Sequence, residues 1–142
     1  MKTILFVCTG NTCRSPMAEV IFRKMLADAG VTDIKAQSAG IAATNGAPAS
    51  KNAIIAAREL GADLSAHISR QVTRKIIDGS VAIYTMSQSH AEVLKNAFPD
   101  ARSKINVLGS GIPDPYGGNI EVYRSCRDSI LAALKNIKEQ VK

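Results

Sequence analysis

A chain of 142 residues with 46% apolar and 21% charged side chains can bury about 68–70% of its unfolded surface, so residues 1–142 read as one globular domain rather than a disordered segment. The formal charge of +6 comes from scattered basic residues, with tryptophan absent and aromatics at 4%; stacking platforms are scarce, which argues against a nucleic-acid partner and for an affinity towards small anions. No run of about 18 apolar residues could span a membrane, "MKTILFVCTG" has no signal-peptide cleavage site, and three cysteines suit reduced thiols better than a disulfide framework, so the expected setting is a cytoplasmic monomer without membrane contact.

In chain order, "TILFV" (3–7) predicts a first strand. Met17, Val20, Ile21, Met25 and Leu26 then recur at helical spacing as far as Gly30, a C-cap candidate, in a helix expected to start at Pro16. "IKAQSAG" (34–40) predicts a second strand, and "APASKNAIIAARELG" (47–61) a helix with Ala53, Ile54, Ala57 and Leu60 inward. A short helix over 72–78, a buried strand over 80–86 and a helix over 89–98 ended by Pro99 follow. "INVL" (105–108) reads as the fourth strand, 109–118 as a turn-rich loop and 119–141 as a long closing helix. Strand and helix alternate throughout, which implies an α/β fold of three layers, a four-stranded parallel sheet flanked by helices. Ligands of such sheets bind beyond the carboxyl ends of the strands.

Cys8 stands at one of those ends. From Cys8 to Arg14 the chain reads C-T-G-N-T-C-R, followed by Ser15 and Pro16. Gly10 permits positive φ and Asn11 tolerates it, so the loop can curl until successive N–H groups face inward. Ser15 is the predicted N-cap, with Pro16 suited to the first helical position. The loop then ends on a helix N-terminus, where amides and dipole favour an anion. Arg14 can close the cradle with a forked pair of hydrogen bonds. The same positive field stabilises the Cys8 thiolate, and an anion cradle around a thiolate describes a phosphoryl-transfer nucleophile. A lone cysteine ending a buried strand is more commonly a small apolar residue. Here the strand before it, the helix after it, and Gly, Asn, Ser and Pro in between favour the functional reading. "GSGIPD" (109–114) lacks the third glycine of a dinucleotide fingerprint.

"VCTGNTCRSPMAE" resembles the signature loop of the low-molecular-weight protein tyrosine phosphatases, and the resemblance runs the length of the chain. "QSAG" (37–40), "HISRQVT" (67–73) and "DPYGG" (114–118) fall where that family has companion motifs. The resemblance implies the family's four-stranded parallel sheet, with no metal and no cofactor. It also assigns roles. Cys8 would attack phosphorus and form a phosphocysteine, while Arg14 and the stretch Thr9, Gly10, Asn11, Thr12 and Cys13 would hold the phosphoryl oxygens. Ser15 would donate to the thiolate, and Asn11, tied to Ser38 and His67, would keep the loop in shape. Asp114 would protonate the leaving group and then deprotonate the attacking water. Taken alone, Asp114-Pro115 is a common turn starter, His67 a satisfied hydrogen-bonding residue and Ser38 strand-end polarity. Cys13 reads either as a spacer or as the partner of Cys8 in a reversible disulfide that shields the nucleophile. Cys126 is expected in the core, without chemistry.

Substrate choice turns on Thr12, where tyrosine-specific members of that family usually carry a branched aliphatic residue. Thr44 falls roughly where many members have tryptophan, and Gly117 follows Tyr116 where they often have a second ring. Each missing ring forfeits about 1 kcal/mol of stacking. "CTGNTCRS" with "DPYGG" is similar to the protein arginine phosphatase branch, which implies phosphoarginine in proteins as substrate, ahead of phosphotyrosine, and inorganic phosphate as product. In that branch Asp114 would protonate the departing guanidino nitrogen. Arsenate reductase, a redox use of the same cradle, would need a further cysteine pair that 80–98 does not contain. A catalytically silent phosphoprotein-binding module is disfavoured by the presence of Cys8, Arg14 and Asp114 together.

Overall fold

In the computed structural model, which describes residues 1–140, the strand ending at Cys8 is buried without interruption from Ile4. A strand with no polar alternation has both faces covered. Accordingly β1 (Lys2–Cys8) lies inside a parallel four-stranded sheet of order β2-β1-β3-β4, with β2 (Ile34–Gly40), β3 (Ala82–Thr85) and β4 (Ile105–Val107). Cys8 pairs with Gly40 across to β2, and Val7 with Thr85 across to β3. The carboxyl ends of these strands therefore share one edge.

The pleat divides β1 between two apolar clusters. Ile4, Phe6 and Cys8 pack with Met17 and Phe22 of α1 (Arg14–Asp28), Ala53 of α2 (Lys51–Arg58), and Ile130 and Leu134 of α5 (Ile120–Gln140). Leu5 and Val7 face the opposite layer, with Ile77 of α3 (Arg74–Asp78), Leu94 of α4 (Gln88–Ala97), Ile83 and Ile105. Phe6 and Phe22 meet edge to face, ring centroids 5.7 Å apart.

The expected elements are present with shifted ends. The helix expected over 47–61 begins only at Lys51, because the Ser50 side chain caps it by accepting from the Ala53 N–H and Pro48 is drawn into a bridge with Ile68. Pro99 does follow the end of α4, but it also opens a short 3-10 helix, Pro99–Lys104. The first helix starts at Arg14 instead of Pro16. Val141, the expected last residue of the closing helix, lies outside the described residues. Among the described residues no helix is long and apolar enough to cross a membrane.

Gly40 sits where the sheet meets the loop after β1. A Cβ there would lie 2.5 Å from the Thr9 carbonyl oxygen and 3.0 Å from the Asn11 nitrogen, and backbone atoms cannot swing aside. Gly40→Ala should therefore lower stability by about 1–3 kcal/mol. A urea unfolding midpoint unchanged from wild type would contradict that close approach.

Candidate active site

The turn after β1 is made by Asn11, with φ of 58°, the one non-glycine residue at positive φ among those described. Of the two residues that could take this conformation, Gly10 and Asn11, it is Asn11 that does so. A short polar side chain tolerates that region because it can bond locally, and Asn11 is bound at every polar group. Its side-chain nitrogen donates to Ser15 Oγ at 2.9 Å and Ser38 Oγ at 3.0 Å. Its Oδ1 accepts from the Arg70 N–H at 3.0 Å. Its carbonyl accepts from His67 Nε2 at 2.8 Å and Ser69 Oγ at 2.6 Å. A carbonyl only accepts, so His67 carries its proton on Nε2. The Asn11 N–H points back at Cys8 Sγ, 3.3 Å away. Ser38 and His67 are brought to Asn11; Ser69 and Arg70 join them, unassigned by the sequence reading although both lie in "HISRQVT".

Ser15 is not the N-cap. Cys13 holds that position without a side-chain cap, and Pro16 sits two residues beyond Arg14, within the first turn, where its missing N–H costs nothing. The Ser15 hydroxyl faces Cys8 Sγ at 2.8 Å instead. The first amides of α1 are left without a competing side chain and stay available to an anion.

Arg14 is buried, donating from Nη1 to the Ile112 carbonyl at 3.0 Å, with Nη2 3.7 Å from Asp114 Oδ2. Asp114 itself is 55% exposed, and its Oδ1 accepts the Tyr116 N–H at 3.0 Å. It therefore starts a turn and faces the arginine at once. Cys8, Thr9, Gly10, Thr12, Cys13, Arg14, Asp114 and Tyr116 line a cavity of about 300 Å³. Tyr116, 83% exposed, stands at its rim. Thr44 does not join this lining. Its loop is tied to the segment after α2, where Gly46 N–H bonds the Ser69 carbonyl and Gln71 N–H bonds Asn45 Oδ1, and to the cradle, where Ala42 N–H bonds the Thr9 carbonyl. A larger cavity of about 480 Å³ lies behind the loop supports, among Glu19, Arg23, Lys35, Ser38, His67 and Arg70, and contains no thiol.

Cys13 is more than a spacer. Its buried sulfur contacts Ser50 Oγ and the Tyr123 hydroxyl at 3.4 Å each, and burial, with this bond, pushes the Tyr123 phenol up to about 12. Cys8 and Cys13 both reach the cavity, and both thiols are free. Cys126 is core, as expected, its thiol pushed up to about 12 mainly by burial. His90 escaped the sequence reading. It is buried in the first turn of α4, with Nε2 2.8 Å from Thr9 Oγ1. Burial, and secondarily the Arg14 charge, hold it below the usual imidazole range, against a smaller opposing pull from Asp114. The available signal was a histidine three residues after Ser87, a helix cap just past the carboxyl end of β3.

A family model described as "Low molecular weight phosphotyrosine protein phosphatase" matches residues 3–142. A protein-arginine-phosphatase of Geobacillus stearothermophilus is 36% identical over 145 residues, taking in 97% of this chain and 95% of that one. The low molecular weight protein-tyrosine-phosphatase Wzb of Escherichia coli is 35% identical over 127 residues, 86% of this chain and 83% of that one. A solved structure of the YwlE arginine phosphatase, a cysteine-to-serine mutant with a phosphorylated active-site serine, superposes with a TM-score of 0.92 at 32% identity, covering 98% of this chain and 95% of that one.

Asn11 allows the loop's two costs to be separated. Asn11→Ala keeps a Cβ at positive φ and strands several buried partners, so it should lower stability by about 3 kcal/mol. Asn11→Gly loses the same bonds but not the steric freedom, and should be about 1 kcal/mol less damaging. Urea unfolding measures both; equal losses would mean that the left-handed turn stores no strain.

Proposed function

This chain belongs to the low molecular weight phosphotyrosine protein phosphatase family, and we propose that it removes the phosphoryl group from phosphoarginine side chains of proteins. Members of this family are phosphoprotein phosphatases, and the chain is one of them. The observation that carries the choice of phosphoarginine is the cavity wall. Thr12 offers a hydroxyl beside the cradle, and Tyr116 is the one ring among the lining residues. A phenol held by stacking would want rings on both sides, whereas a planar guanidino group wants hydrogen-bond partners, which the Thr12 hydroxyl and the Asp114 carboxylate can supply. The arginine phosphatase of Geobacillus stearothermophilus supports the same choice.

The reaction runs in two displacements. The Cys8 thiolate attacks phosphorus, the S–P bond forms as the P–N bond breaks, and Asp114 gives its proton to the departing guanidino nitrogen. Loop amides and Arg14 hold the equatorial oxygens, where charge spreads in the transition state. Asp114, turned towards Arg14 across 3.7 Å, then takes a proton from the water that attacks the phosphocysteine, releasing inorganic phosphate. Ser15, 2.8 Å from the sulfur, donates to the thiolate and makes it a better leaving group in this second step. The phosphoserine trapped in the YwlE mutant supports covalent transfer at this position.

Phosphotyrosine is the second reading, favoured by Tyr116 standing exposed at the rim and by the likeness to Wzb. The two separate by measurement: kcat/KM should be higher for phosphoarginine peptides than for phosphotyrosine peptides, and Thr12→Ile should move the ratio towards phosphotyrosine. A wild-type preference for phosphotyrosine would overturn the substrate and leave the chemistry standing. Asp114→Asn should slow poor leaving groups by about 10²–10⁴-fold and good ones far less. An equal loss on both would remove Asp114 from the proton-donor role.

A further inference from the structure

His90 and Thr9 form a contact that the two-step chemistry above leaves unused. His90 Nε2 lies 2.8 Å from Thr9 Oγ1, and Thr9 lines the cavity one residue after Cys8. The imidazole is 95% buried, being 5% exposed. Its Nδ1 is the one buried side-chain nitrogen or oxygen among the described residues with no hydrogen-bond partner.

A neutral imidazole has one N–H and one bare lone pair, so the contact can run in either direction. With the proton on Nδ1, a buried N–H would point at nothing while the Thr9 hydroxyl spent its proton on Nε2. With the proton on Nε2, the unpartnered Nδ1 is only an unused acceptor, which buried structure tolerates better than an orphaned donor. Thr9 Oγ1 then accepts from the ring, and its own O–H is free to donate elsewhere.

We propose that His90 is a positioning residue: it donates from Nε2 to Thr9 Oγ1 and so leaves the Thr9 hydroxyl proton for an oxygen of the phosphoryl group held in the cavity. The inference rests on the phosphatase reading of that cavity. It gives the cradle a side-chain donor next to Cys8, in addition to Arg14 and the loop amides. Arg14 from α1 and Asp114 from the loop after β4 are the charged groups that act on the ring; burial and Arg14 disfavour its charged form, against a smaller opposing pull from Asp114, a direction that suits the proposed tautomer.

Two measurements test it. Long-range ¹H–¹⁵N correlation spectra of the ligand-free enzyme near pH 7 should show His90 protonated on Nε2 with Nδ1 bare; the opposite tautomer would overturn the proposal. Inhibition by inorganic phosphate should weaken on the order of tenfold in Thr9→Val, as befits one hydrogen bond to a charged oxygen, and Thr9→Ser should recover binding relative to Thr9→Val. His90→Gln should weaken phosphate binding in the Thr9 background and add nothing in the Thr9→Val background. Full phosphate affinity in Thr9→Val, or independent effects of the two substitutions, would reduce the contact to packing of α4. A wild-type enzyme that hydrolyses its substrate yet binds phosphate as well as Thr9→Val fails this proposal alone; a wild type with neither turnover nor phosphate binding fails the cavity reading and the proposal together.

Discussion

One backbone conformation organises this molecule's chemistry: the left-handed turn at Asn11. Without it the chain would leave β1 in extended form and the loop amides would not converge. The conformation is held by bonds to every polar group of Asn11, from Ser15, Ser38, His67, Ser69 and Arg70. These contacts offset an intrinsic cost of about 1–2 kcal/mol for an L-residue in that region. They also explain why asparagine, with a donor and an acceptor on one short stem, stands at the point of curvature. Strain held by a surrounding network is a common way to keep a binding loop in shape before its ligand arrives.

The α1 terminus adds a second constraint. A helix that starts in a loop is ordinarily capped by a side chain, and the cap consumes amides that an anion could use. Here Cys13 occupies the cap without bonding those amides, while the Ser15 hydroxyl is directed to the sulfur. Pro16 brings no N–H that would need a partner. The sequence that looks like a Ser-Pro capping signal is therefore put to another use.

How much of this could be read beforehand follows from the range of the interactions. The unbroken apolar run before Cys8 and the helical spacing after Pro16 are local signals, and they gave the sheet, its flanking helices and the position of the cradle. Cys8, Arg14, Ser15 and Asp114 are brought together as their motifs suggested. What escaped was long-range or depended on side-chain competition. Ser69 and Arg70 bond Asn11 across 58 and 59 positions, and His90 reaches Thr9 across 81; no periodicity encodes such contacts. Thr44 is not among the residues lining the cavity, and loop position alone does not show that its segment is tied to Ser69 and Gln71. Gly10 and Asn11 could both take the left-handed turn on local grounds, and the long-range bonding network selects Asn11.

The long reach of the loop's supports bears on the protein's birth. A growing chain that has emerged only through α1 carries Cys8, the proposed nucleophile, but none of Ser38, His67, Ser69 or Arg70, so the cradle cannot yet hold its shape. Closing contacts over such separations is a late, topology-limited event in folding. The reactive centre is thus assembled by the finished tertiary structure, and a partly unfolded molecule that keeps β1 and α1 should already be inert.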